Sequence, residues 1–496
     1  LKPIHKILLI ITISCSFQFS NAQNELIDWS PTLEVPKSEE IIDYTLVDDT
    51  IPALISKYGE AIIMRSFTKP AQEYPLFIRT EQDPKLEAFN LIDDKLVTLV
   101  SEKSEDQSNF SIITYQLTSR QAEKIVEQPI HPSQKLSLNN SRELFFSVSK
   151  NASHVLLCQQ SAYEKQSKTA FSVITHHNDK IEQISLPSEF EGDDVTLLGA
   201  TIDNAGIVYF ATETGIKLNS PFRKKYLVYS YHPASKTLTE FDLTSNEFFI
   251  LDLVVTTTDK GAVITCLYST DPLEEDKSSG YTFVKLHENG LEIDKRLAGN
   301  FDENMVRLFG EDESELRSIK DLFLSKTIDV NDDYWLVMEK RYKSRVCTAD
   351  PHTGIMTCSD QYHFNAVAFE NILNPNKTVT IDKRQIDYDS PSIFTKQAIT
   401  QHNNDIFMFY NDHFKNSDGS HEHTMSNTNR SVLRFAKMSG NSILMSGVVQ
   451  NKRQTGFVFV SAFGIPQYKN YSFLLSADGK LFRVGKLDLN QLNEAK

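Results

Sequence analysis

The side chains best suited to hold a transition metal are concentrated in residues 411–424, where His413, His421 and His423 alternate with Asp412, Asp418 and Glu422. A His-x-His pair on an extended backbone turns both imidazoles to one face, an arrangement that zinc or copper can use. In a polar loop the same residues simply stay hydrated. The expectation is an exposed hairpin with incidental histidines, His413, His421 and His423 remaining weak metal candidates. Cys347 and Cys358 flank the turn sequence Asp350-Pro-His-Thr-Gly354 almost symmetrically. A hairpin centred between His352 and Thr353 would place the two cysteines opposite each other, at roughly 4.5–5.5 Å, within disulfide reach. A bridge is therefore expected there in preference to a redox or metal pair. Cys158 and Cys266 each end a short apolar run at matching places and read as buried small hydrophobes.

The remaining chemistry is sparse. Glu39-Glu40, Asp48-Asp49, Asp193-Asp194 and Glu274-Glu-Asp276 are paired carboxylates. Acid–base catalysis needs two such groups converging in one pocket, so solvated turns are the default for each. The Asp329-Val-Asn-Asp-Asp333 run lacks the downstream bidentate glutamate of a calcium loop and reads as a strand connection. The sequence has no Gly-x-Ser-x-Gly elbow, phosphate-binding loop or dinucleotide fingerprint. With only Trp29 and Trp335, a ring of stacking tryptophans for a quinone or for sugars is excluded. The catalytic residues are therefore unknown from the sequence, and no cofactor is expected.

What must position these residues is a succession of strands. Tight polar turns recur at Gly59, Asp93-Asp94, Asn151, Asn204-Ala-Gly206, Asp259-Lys-Gly261, Asn331-Asp332, Asn403-Asn404 and Asp478-Gly479. Asn, Asp and Gly supply the positive φ or the side-chain-to-backbone bond of a hairpin. An apolar run of strand length follows each turn and is read as the second strand of a unit. Third strands such as Lys225-Tyr-Leu-Val-Tyr-Ser-Tyr231 and outer strands such as Leu291-Glu-Ile-Asp-Lys-Arg-Leu297 complete the pattern. Four antiparallel strands repeated at roughly 50–70 residues is the pattern of β-propeller blades. The expected fold is all-β, a propeller of four-stranded antiparallel blades, seven in number with eight as the next choice. Two packed β-sandwiches are the alternative, and a helix is expected only over residues 312–323. The domain reading is a signal peptide over 1–22, an N-terminal extension over 23–50 that completes the last blade, the propeller over 51–490 and a tail over 491–496.

The first residues carry a basic start, an apolar run and Ser20-Asn-Ala22, the layout of a secretory signal cleaved after Ala22. Lipid attachment at Cys15 is the rival. No later stretch reaches the roughly 20 apolar residues a spanning helix needs. Across 496 residues the formal net charge is -15, which opposes binding to nucleic acid or an anionic membrane. The expected location is the periplasm, the outer membrane or outside the cell.

A resemblance sits on Asp321-Leu-Phe-Leu-Ser-Lys-Thr-Ile-Asp-Val-Asn-Asp-Asp-Tyr-Trp-Leu-Val-Met-Glu-Lys-Arg-Tyr342, the tip at 350–354, Ile381-Asp-Lys-Arg-Gln385 and Phe407-Met-Phe-Tyr-Asn-Asp-His413. This succession resembles exported β-propeller-like proteins of Gram-negative bacteria to which no activity is assigned. Asp332-Asp333 stands where that group has Gly-Gly. The resemblance implies the fold and export, and no reaction. The leading functional expectation is a non-catalytic module binding a secreted or envelope protein or a glycan. The alternatives are a hydrolase or lyase with acid–base residues in the propeller channel, and a metal or ligand sensor using the histidine loop.

Overall fold

The computed structural model describes residues 27–494, except 60, 69–71, 77–84, 104–107, 119–120, 131–140, 162–169, 178–179, 186–194, 215–223, 259, 272–275, 302–304, 307–308, 310–317, 374–377, 389–392, 419–422 and 440–441. The signal-peptide region with Cys15, His421, and the Asp193-Asp194 pair lie outside the described residues.

Strand follows strand, because β-branched and aromatic residues fill short runs bounded by Asn, Asp and Gly turns. Seven sheets are antiparallel meanders of four strands in chain order. The first holds Glu40–Val47, Ile51–Tyr58, Ala61–Ser66 and Gln72–Leu76. The second begins with Lys85–Ile92, the third with Ser141–Val148 and the fourth with Val195–Ile202. The fifth starts at Phe249–Thr258, the sixth at Leu322–Val330 and the seventh at Gln397–His402. An eighth sheet is assembled from both chain ends: Val458–Phe459, Tyr471–Asp478 and Leu481–Asp488 are joined by Ile27–Trp29. The described strands thus form eight sheets of four strands or more, and the expected count of seven blades is not confirmed.

Two of the eight sequence units fall one strand later than expected. The run after Gly59 is the third strand of the first sheet, and the run after Gly479 follows the second strand of the eighth. The first hairpin of the first sheet turns at Asp48 and Asp49 (φ 47° and 62°), a carboxylate pair doing conformational work without glycine. The described elements within the region expected to be helical are both strands, Ile319–Lys320 and the start of Leu322–Val330. Asp321 at φ 56° then turns the chain into Leu322–Val330. Residues 312–317 lie outside the described residues. Ile319, Leu322 and Leu324 are all buried in one apolar cluster, and tertiary burial decides the local conformation there.

By compactness the chain separates into two units, one of Leu1–Leu76, Tyr342–Asn365 and Asp382–Lys496, the other of Phe77–Arg341 and Ala366–Ile381. In the second unit the first strands of the second to sixth sheets lie side by side in sequence order. Apolar clusters fill the space between successive sheets there. Tyr209, Val228 and Phe241 of the fourth pack with Ile264 and Val284 of the fifth. Phe283 of the fifth meets Tyr334 and Leu336 of the sixth. Each buried side chain of this size contributes roughly 1.5–3 kcal/mol.

Each of these five first strands slips by one residue against its neighbour, between Leu86/Ala88, Ser141/Glu143, Leu197/Gly199, Ile250/Asp252 and Leu324/Lys326. A repeated bulge bends each strand and strengthens its twist. In the first unit, Phe407 and Phe435 of the seventh sheet pack against Leu474 and Leu487 of the eighth. Trp29 crosses Gly485, where an added Cβ would lie 2.8 Å from the indole. The Arg483 guanidinium is held between Trp29 and Phe457 at 3.8 and 4.1 Å from the ring centroids. The N-terminal strand is thereby fixed to the C-terminal one.

Candidate functional site

The second and third strands of the sixth sheet, Asp333–Ala349 and Met356–Asn371, are 17 and 16 residues long. The first strand of that sheet stops pairing at Lys340, opposite Leu322. Beyond that point the burial changes within one strand: residues 334–340 are buried and residues 345–349 are exposed. The portion Tyr342–Asn365 is an arm of two strands whose distal part is exposed on both faces.

Its register follows from its contacts. The Asp350 N–H donates to the Ile355 carbonyl at 2.9 Å, and Gly354 (φ 69°) closes the turn by donating to the Asp350 carbonyl. The Asp350 carboxylate accepts from the N–H groups of His352 and Thr353, both at 2.8 Å, and these bonds hold it below the usual carboxylate range. The Cys347–Cys358 disulfide lies three positions further along, as the symmetric spacing predicts, with Cα atoms 4.0 Å apart. Lys343 lies over the Tyr362 ring at 5.2 Å and pairs with Asp360 at 2.7 Å. The Tyr342 and His363 rings stack at 4.2 Å, and His363 Nε2 meets Ser344 Oγ at 2.8 Å. Burial lowers the His363 pKa.

A two-stranded ribbon is marginal in water. Closing a loop across 11 residues of separation stabilises this one by about 3 kcal/mol in the chain-entropy account. The arm also presents Val346 at 41%, Met356 at 59% and Ile355 at 64% exposure. A covalently stapled ribbon with exposed apolar side chains near its tip is suited to binding another surface.

The histidine segment behaves differently. It joins the second and third strands of the seventh sheet, Asp405–His413 and Ser431–Ser439. His413 is buried, and its ring lies 5.2 Å from that of His423. The Lys415 N–H donates to His413 Nδ1 at 3.3 Å. Burial lowers the His413 pKa, helped by the nearby His423 and Arg430. Asp412 Oδ1 accepts from the His413 N–H at 2.7 Å and from the Asn416 amide at 2.8 Å. The fully buried Asn416 also binds both the N–H and the carbonyl of His423, at 3.0 and 2.7 Å. Arg434 lies 3.5 Å from Asp412, both side chains almost wholly enclosed, and donates to the Asn416 carbonyl. Two of the three metal candidates are thus brought together, and the neighbouring aspartate is engaged in an ion pair. Among the described residues no group of three or more His, Cys, Asp or Glu is placed to hold a metal.

Two groups that sequence reasoning passed over sit at the repeated bulges of the second unit. Asp252 accepts from its neighbour Leu253 and from Leu324 of the next sheet, both at 2.9 Å, and burial raises its pKa. Burial pushes Lys326 down to about 8. The signal for Asp252 is a single charged residue in the strand Phe249–Thr258, whereas Lys326 shares its strand with Asp329 and carries no such signal. Among the other sequence candidates, Cys158 and Cys266 are buried free thiols, and burial pushes Cys158 up to about 12. Glu39 is buried against Arg65, which reaches it through both guanidinium ends at 2.5 and 2.8 Å. Asp329 accepts from the Asp332 N–H at 2.9 Å, a turn as expected.

No family model matches the chain, and no curated protein sequence does. Solved structures similar to it are distant. Prolyl oligopeptidase B from Galerina marginata, in its apo form, aligns at 10% identity and a TM-score of 0.42 over 89% of this chain and 56% of that one. This chain thus spans little more than half of that protein's length. The WD40 domain of SCAP from fission yeast gives 10% identity and 0.39 over 94% and 96%. The β-propeller domain of the Trilobed protease from Pyrococcus furiosus gives 8% and 0.36 over 84% and 100%.

Proposed function

We propose that this chain is an exported β-propeller of eight four-stranded blades that works as a protein-interaction module and engages its partner through the stapled arm. The propeller reading is supported by the side-by-side first strands of the second unit and the apolar packing between its successive sheets. In the first unit, the N-terminal strand that completes the last sheet supports it too. A disulfide favours an oxidising location, in keeping with a signal peptide. The observation that carries the function is the arm itself, exposed on both faces in its distal part, closed by a disulfide and bearing Val346, Ile355 and Met356 near its tip.

The test replaces residues 343–362 with an Asn-Gly turn. The shortened chain folds with a melting temperature near the parent's. A photo-crosslinker at Ile355 in the parent captures an envelope or secreted protein that the shortened chain no longer retains. Retention of that protein by the shortened chain overturns the reading.

A second reading, a hydrolase or lyase using the channel of the propeller, draws on the shifted groups Asp252 and Lys326. Its signature is a pH–rate profile with a limb near the Lys326 value of about 8 that disappears in Lys326→Met.

A further inference from the structure

Strands with an open edge normally carry a device against pairing with another chain, and the arm carries one that also specifies a partner. The Asp350 N–H to Ile355 carbonyl bond fixes the phase of the ribbon. In an antiparallel pair, hydrogen-bonded and non-hydrogen-bonded positions alternate. Counting back from Asp350, the backbone groups of Lys343, Arg345, Cys347 and Ala349 point away from the returning strand. The neighbouring strand on that side pairs only as far as Lys340, and the Arg341 N–H is taken by the Asp321 carbonyl. Among the described residues no strand covers the edge over residues 343–349.

We infer that this edge accepts an extended acidic segment of a protein partner as an added strand. This rests on the interaction reading above and adds the partner's chemistry. Lys343 and Arg345 are two apart and share one face of the ribbon. Asp360 pairs with Lys343 across the ribbon and also feels the charge of Arg345, so this face keeps one net positive charge. A second copy of the arm pairing with itself would bring two Lys343–Arg345 pairs onto one face, which repels. A strand with carboxylates at alternate positions meets both cations instead, and an apolar residue between them falls on the Val346 face. The chain's own net charge of -15 makes two adjoining cations on an otherwise open edge a local exception. The staple at Cys347 sits within the edge and holds it straight before binding, which reduces the ordering cost of adding a strand.

The experiment uses the full oxidised chain and three synthetic probes. These are the peptide Thr-Glu-Val-Glu-Val-Thr, the same peptide with Lys for Glu, and the acidic peptide N-methylated at alternate amides. The acidic peptide slows amide exchange at Lys343, Arg345 and Ala349 at least tenfold, while the lysine and N-methylated peptides do not. Ala349→Pro removes one outward donor and no bond within the ribbon. It weakens the acidic peptide at least fivefold with the disulfide still formed by mass spectrometry. Arg345→Glu reverses the preference between the Glu and Lys peptides. Equal protection by both peptides, no protection by either, or indifference to Ala349→Pro overturns the inference. If the Ile355 crosslinker still captures a protein from the Ala349→Pro chain at the parent's yield, the edge fails and the interaction reading stands. If the parent captures nothing, both fail.

Discussion

The arm and the histidine segment occupy the same topological place, each joining the second strand of its sheet to the third, and the two meet opposite fates. In the arm, backbone pairing continues past the end of the neighbouring strand, so alternate peptide groups pair within the ribbon while the others face outward along its edge, and its side chains need no core. In the histidine segment the ladder stops at His413, and five residues of 3-10 helix, Phe414–Asp418, follow. That turn leaves backbone groups to be satisfied by side chains. Asn416 does so for His423, Asp412 does so for His413, and Arg434 balances the buried aspartate. A regular ladder can stand in water. An irregular connection that is drawn inside must bring its own polar partners.

The largest expected effect lies in the buried connection. Arg434→Met leaves Asp412 enclosed without its cation and lowers stability by about 3–5 kcal/mol, measured by urea denaturation. The double variant Arg434→Met with Asp412→Leu recovers most of that loss. A small effect of the single change would mean that the segment is held by its amide bonds alone.

The arm shows the converse. Replacing Cys347 and Cys358 with serine lowers the local opening energy of the arm by about 3 kcal/mol, read by amide exchange over residues 343–362. The global transition moves far less, because the arm contributes little buried surface. Equal loss at both levels would show the arm to be part of the core.

Acid separates the two regions next. The folded pKa of His413 is depressed, so its neutral form is the stabilised one. Its contribution is present above the unfolded value of about 6.5 and is lost as pH falls below it. Between pH 7 and 5 exchange therefore quickens around residues 411–430, and His413→Asn flattens the response. His363 has the same sign, with its loosening confined to the arm.

The smallest effect belongs to charge on the arm's surface. Lys343 and Asp360 form a pair between an exposed and a partly exposed side chain. Lys343→Ala leaves the melting temperature of the chain unchanged within about 1 °C, since exposed pairs contribute little.

Much of this was legible in the residues. Turn chemistry at Asn331, Asn403 and Gly261 marked real hairpins, because positive φ has few tolerant residue types. The Cys347–Cys358 bridge was readable because a hairpin with a fixed centre has its register set by counting. The same turn chemistry could not say which hairpin of a sheet it closes, so the runs after Gly59 and Gly479 were placed a strand early. Asp48-Asp49, read as a solvated turn, is one. Apart from the two cysteines, nothing local marks the histidine segment as the one drawn inside, since both are polar stretches between apolar strands.

The sequence by itself determined that the chain forms short antiparallel strands, where most of them turn, and that two cysteines meet. Those properties depend on neighbours a few residues apart. Tertiary structure alone decided which strands gather into each sheet, and that His413 is enclosed while Ile355 is not. An apolar run such as those ending at Cys158 and Cys266 marks its own burial, but the burial of a residue in a polar connection depends on what packs against it from far along the chain.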